Sequence, residues 1–169
     1  RAADAEHIVG ELMKGFLKRK LTSEQEITFQ LSSPEDGAII AANLQRAFPV
    51  IPLVNSPSFS TAFSNDMNPD FIFAQQVVGI GKSNDVLIAI STSGNSQNVL
   101  WAAKVAKAQG IKVIGLTGKD GGQLAEHSDF CLKVPANHVV EIQEYHLSVY
   151  HLLCMLIEES LFGQGEKSL

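Results

Sequence analysis

Val86-Leu87-Ile88-Ala89-Ile90 is an unbroken apolar run that passes directly into Ser91-Thr92-Ser93-Gly94-Asn95-Ser96 and then into a helical pattern over residues 96–109. A strand with no polar alternation must be buried on both faces, which is the situation of a strand inside a parallel sheet. Gly110 follows the helical stretch as a C-terminal glycine would. The same order then repeats: a second apolar strand over 111–116, a turn Thr117-Gly118-Lys119-Asp120-Gly121-Gly122, a short helix over 123–127 and a third strand over 129–134. Strands alternating with helices predict an α/β fold with three layers, a central and mostly parallel sheet flanked by helices in the flavodoxin-like or Rossmann-like manner. In such sheets ligands bind beyond the carboxyl ends of the strands, where both turns lie.

The flanking segments are read from periodicity. Apolar residues recur at three- and four-residue steps from Ala5 to Leu17, predicting a helix over 2–18 with Asp4, His7 and Glu11 on another face. Residues 21–33 are polar and weakly patterned and read as a loop. Ser33-Pro34-Glu35-Asp36 has the order of an N-cap, a first-turn proline and early acids, so a helix follows to about Arg46. Residues 49–54 read as a short buried strand, and helices are expected near 58–64 and 70–78. Over 139–162 apolar side chains occupy most of the circumference of a final helix, which must be buried on more than one side and so favours a homo-oligomer.

Composition narrows the function. The 169 residues, 45% hydrophobic and 18% charged, suffice for one domain with its own core. A net charge of -5 provides no positive field for a polyanion, so nucleic acid is not expected as a direct ligand. Cys131 and Cys154 lack CxxC spacing and read as core residues of a reducing compartment. With charged residues through the first twenty positions and no long apolar span, neither a signal peptide nor a membrane segment is expected, and the protein is read as cytoplasmic.

The turn after residue 90 carries hydroxyls on Ser91, Thr92, Ser93 and Ser96, together with Gly94, at a helix start whose N–H groups and dipole favour an anion. A phosphate monoester is the ligand such a turn suits. The plainer alternative is that Ser93 or Asn95 only caps the helix and Gly94 only makes the turn. The spacing matches neither GxGxxG nor GxxxxGK[ST], which disfavours dinucleotides and nucleoside triphosphates.

Ile90 to Ser96 taken with Leu116 to Gly122 resembles the sugar-phosphate isomerase (SIS) fold of phosphoheptose isomerases. Ala2-Ala3-Asp4-Ala5-Glu6-His7, continuing to Glu11, and Ile142-Gln143-Glu144-Tyr145-His146, continuing to His151, resemble two further family segments. The resemblance implies a single SIS domain, whose N-terminal helix and Asn-Gly-Gly-Ser phosphate loop would precede residue 1. It also implies isomerisation of sedoheptulose 7-phosphate to a heptose 7-phosphate in a homotetramer, with a zinc ion in some members. By position, Glu11 and His151 match the acid-base residues, and His7, Glu11, Gln143 and His151 the metal-associated ones. Ser91, Thr92, Ser93 and Ser96 match the phosphate binders, and Asp66 and Gln143 polar residues near the substrate. Two segments depart from the pattern: Leu12-Met13-Lys14-Gly15-Phe16 stands where many members have an arginine, and ahead of Gln143 Glu141 replaces the usual arginine while Val140 stands where some relatives have an acid.

Read without the family, His7 and Glu11 are four apart and share a helix face, able to address one ligand or to form a solvated pair. His151 is open to reading as a site residue or as a hydrogen-bonded core histidine. Two readings of function therefore stand: an isomerase of ketose phosphates, or a non-catalytic SIS module that senses a sugar phosphate or binds a partner such as a replication initiator. Only the first needs a paired acid and base.

Overall fold

The computed structural model describes residues 2–16 and 19–163. Eight helices and three strands occur among them: α1 (Ala2–Met13), α2 (Ser23–Ser32), α3 (Pro34–Asn43), α4 (Pro57–Asp66), α5 (Ile72–Ile80), β1 (Val86–Ile90), α6 (Gln97–Ala108), β2 (Lys112–Thr117), α7 (Gly122–Glu126), β3 (Phe130–Lys133) and α8 (Val139–Phe162). A 3-10 turn, Pro69–Phe71, leads into α5. The chain divides into two compact units, Arg1–Glu6 with Pro52–Val149 and His7–Ile51 with Tyr150–Leu169.

The first unit contains the sheet. Its strands run parallel in the order β1-β2-β3, with Val86 opposite Lys112 and Ile114 opposite Phe130. Parallel neighbours need a crossover, and α6 and α7 supply the two. Leu100, Ala102, Ala103 and Ala106 of α6 bury against Ala89, Ile111, Val113 and Leu124, so small residues on one helix face let it lie close to the strands. Gly110, at φ 76°, closes α6: its N–H reaches the Lys107 carbonyl at 3.1 Å and that of Ile111 the Ala106 carbonyl at 2.9 Å. That paired arrangement satisfies carbonyls the helix end would leave open. The expected α/β architecture of parallel strands flanked by helices is what the chain adopts.

In the second unit, α2 and α3 pack on each other. Gly37 is required there, since a Cβ would come 2.6 Å from the Gln30 backbone. Here the structure departs from expectation, for α2 occupies most of the segment read as loop. The reason is a reciprocal cap: the Thr22 hydroxyl accepts from the Gln25 N–H and the Gln25 amide oxygen accepts from the Thr22 N–H. Such capping contributes about 1 kcal/mol and does not need an apolar stripe. The strand expected over 49–54 does not form. Pro49 and Pro52 each remove a ladder donor, and the Leu53 carbonyl is taken instead by the Gln76 side chain at 2.8 Å, within the first unit. α1 ends at Met13, and the expected continuation to Lys18 takes in Leu17 and Lys18, which lie outside the described residues.

Ile142, His146, Tyr150, Cys154 and Glu158 form one fully buried stripe along α8, each four residues after the last. Leu147, Leu152, Met155, Leu156 and Leu161 stand exposed on its other faces. Among the described residues no helix is long and apolar enough to cross a membrane.

Candidate active site

The hydroxyl turn sits at the carboxyl end of β1. Ser91 and Thr92 are buried, and the Ser91 N–H donates to the Leu116 carbonyl at 3.0 Å, carrying the strand register one residue into the turn. Gly94, at φ 67°, is held so close to the second turn that a Cβ would collide with the Gly121 carbonyl. The second turn in effect braces the first. The Gly118 N–H donates to Thr92 O at 3.0 Å, that of Leu124 to Gly94 O at 2.9 Å, and that of Gln123 to Asn95 Oδ1 at 3.1 Å.

This geometry bears on the capping alternative. The N-cap of α6 is Ser96, and it makes no side-chain cap bond; its Oγ lies 3.0 Å from Ser91 Oγ instead. Ser93 Oγ accepts from the Asn95 N–H, within the turn. The N-cap residue of this 12-residue helix thus offers no side-chain acceptor, and among the described residues only the Val99 N–H of its first turn is taken by a side chain, that of Asn98 at 2.9 Å. The helix start lies beside paired hydroxyls that can donate to an anion.

The second group lies in the other unit. α1 sets His7 and Glu11 on one face, with His7 Nε2 3.2 Å from Glu11 Oε1. His151 on α8 brings its Nε2 to 3.2 Å from His7 Nε2 and 4.0 Å from Glu11 Oε1. One ligand atom from each of the three lies within 4.8 Å of the others. Two imidazole nitrogens and a carboxylate oxygen are a ligand set zinc accepts, and tetrahedral Zn–N bonds of about 2.0–2.1 Å place ligand atoms roughly 3.3 Å apart. Both His7 distances match that spacing, so these residues fit a small divalent cation.

Sequence reasoning did not find what holds this group. The Tyr150 hydroxyl lies 2.9 Å from His7 Nδ1, and its ring meets those of His7 and His151 edge-on at 5.3 and 5.2 Å. Below it, Arg19 and Glu158 form a buried ion pair, Nε to Oε1 at 3.0 Å. Arg19 Nη1 also donates to the Leu12 carbonyl at 2.7 Å, and Glu158 Oε2 accepts from the Phe16 N–H at 2.9 Å, so the pair fixes the end of α1 just past Glu11. Cys154, also buried, stands between Tyr150 and Glu158 on the same stripe of α8. Burial, and secondarily the negative charge of Glu11, push its thiol up to about 11.

Gln143 and Asp66 are exposed, on α8 and at the end of α4 in the first unit, and neither hydrogen-bonds to the hydroxyl turn. The structure therefore brings together His7, Glu11 and His151, and separately the four hydroxyl residues.

Residues 61–158 match the SIS domain family. Over 160 residues the chain is 40% identical to the phosphoheptose isomerase of Rhodospirillum rubrum, covering 95% of this chain and 72% of that protein. This chain belongs to the phosphoheptose isomerase family. The phosphoheptose isomerase of Nitratiruptor, at 40% identity, covers 94% of the chain and 72% of its own length. Among solved structures, a phosphoheptose isomerase from Francisella tularensis superposes with a TM-score of 0.74 at 30% identity, covering 94% of this chain and 71% of that one. One from Neisseria gonorrhoeae gives 0.62 at 32% identity, with 92% and 84% covered. The phosphoheptose isomerase fold thus extends over nearly the whole chain, as the resemblance of its turns implied.

Proposed function

We propose that this chain is an aldose-ketose isomerase that converts sedoheptulose 7-phosphate to D-glycero-D-manno-heptose 7-phosphate. Family membership supports the reaction class and the seven-carbon phosphate. The observation that carries it is the convergence of Glu11, His7 and His151 within 4.8 Å, because a module that only binds a sugar phosphate has no use for a carboxylate and imidazoles gathered on one point.

Isomerisation moves a proton between adjacent carbons through an enediolate, and needs a base, an acid and stabilisation of the developing oxyanion. Glu11 and His151 share the base and acid roles. Ser91, Thr92, Ser93 and Ser96 hold the phosphate, with main-chain N–H groups at the start of α6, where Ser96 makes no side-chain cap bond, as further donors. Asp66 and Gln143 offer polar contacts to the sugar hydroxyls. His7, Glu11 and His151 would hold zinc or a similar cation, which when bound supplies polarisation of the substrate oxygens. The exposed leucines and methionine of α8 support burial against further copies of the chain, and a homotetramer is the assembly proposed.

Glu11→Gln tests the reading. It preserves shape and removes the charge, so the purified variant should bind sedoheptulose 7-phosphate yet form aldose at least about 100-fold more slowly, as loss of general acid-base catalysis does. Wild-type protein that binds the ketose phosphate but gives no aldose, with or without zinc, would sink the isomerase and leave a sensing module.

A further inference from the structure

We infer that Tyr150 is a positioning residue for His7, its hydroxyl fixing which imidazole nitrogen faces Glu11 and His151; this rests on the reading that these three residues hold a divalent cation. The tyrosine is 1% exposed, so its ring cannot swing into solvent, and its hydroxyl lies 2.9 Å from His7 Nδ1. The His7 ring is then pinned on three sides. Tyr150 takes Nδ1, while Nε2 is 3.2 Å from both Glu11 Oε1 and His151 Nε2.

The chemistry of the hydroxyl matters because it both donates and accepts, which a backbone carbonyl or a carboxylate cannot do. Without a cation, Nε2 is best occupied by its own proton, donated to the Glu11 carboxylate, and the tyrosine O–H then donates to a bare Nδ1. With a cation, Nε2 must present its lone pair, so the ring proton sits on Nδ1 and donates to the tyrosine oxygen. One proton changes nitrogen and the hydroxyl hydrogen turns. No group becomes charged and the ring need not move. Tyr150 thus serves both states of His7 from one position, and the edge-on contacts of its ring with His7 and His151 hold both imidazoles in place meanwhile.

Tyr150→Phe removes the hydroxyl and keeps the ring. Cobalt(II) and zinc titrations of wild type, Tyr150→Phe and a His7→Ala control, followed by the visible absorption of bound cobalt and by competition with a chelator, provide the test. Loss of an outer-shell partner weakens metal binding by about 10–100-fold, and that loss is expected for Tyr150→Phe with the fold retained. Nitrogen-15 spectra of histidine-labelled protein provide a readout that packing alone would not move: in the zinc-loaded wild type the Nδ1 proton of His7 should be protected from exchange, and in Tyr150→Phe it should exchange rapidly. Affinity within about twofold of wild type, or equal protection in both proteins, overturns the role of Tyr150 while leaving the cation site standing. Wild-type protein that binds neither metal more tightly than His7→Ala overturns both.

Discussion

Glu158→Gln is the most informative single perturbation of the fold around the candidate site. The carboxylate is fully buried and faces the guanidinium of Arg19, itself 2% exposed, at 3.0 Å. The amide keeps the shape and one acceptor but removes the only countercharge seen within bonding distance of Arg19 among the described residues. Breaking a buried pair from one side costs about 3–5 kcal/mol, because the remaining ion stays desolvated. The Phe48 and Phe162 rings, each 5.1 Å from the guanidinium carbon, offset part of that loss, so the lower end is expected. At about 2–4 °C per kcal/mol for a chain of this size, the thermal midpoint should fall by roughly 6–12 °C. Circular dichroism melts and urea titrations of Glu158→Gln, Arg19→Met and the double variant Arg19→Met/Glu158→Leu would measure it. The double variant should lose much less than the two singles combined, since it leaves no buried charge. Single variants that cost under about 1 kcal/mol would mean that the pair is solvated, and the reasoning from burial would fail.

Ser96→Ala should leave the fold intact, since Ser96 makes no side-chain cap bond, yet raise KM for the sugar phosphate by roughly 10-fold or more, the worth of one hydrogen bond to a charged group; an unchanged KM would remove Ser96 from the phosphate site. The Cys154 thiol, pushed up to about 11 from an ordinary 9.0, should resist a thiol reagent at pH 8 until the protein is unfolded. Its folded pKa is the higher one, so the neutral thiol's contribution to stability is complete below about pH 9 and is lost as pH rises through 11. Unfolding titrations of wild type and Cys154→Ser at pH 8 and 10.5 would expose that dependence, and a pH-independent difference between the two would contradict it.

What the sequence revealed follows local rules. The run from Val86 to Ile90, the hydroxyl turn and Gly110 each signal their structure within a few residues, and all three formed where expected. α2 was obscured because its stability comes from the Thr22–Gln25 cap and from packing on α3 rather than from an apolar stripe. Apolar, β-branched composition at 49–54 suggested a strand, but Pro49 and Pro52 count against ladder formation there. The pairing of Arg19 with Glu158 joins residues 139 apart, and nothing local announces it. Tyr150 was legible only as one apolar residue among many on α8. Its position in a stripe of every fourth residue with His146 and Glu158, both polar and both buried, is the signal that would have marked it.

A crystal structure of the protein with sedoheptulose 7-phosphate would examine the phosphate assignment at its root. The ester should lie against Ser91 to Ser96, with oxygens within about 3 Å of the serine hydroxyls and of the first N–H groups of α6. A phosphate bound elsewhere, with the turn closed by neighbouring side chains, would contradict the assignment and the isomerase mechanism built on it.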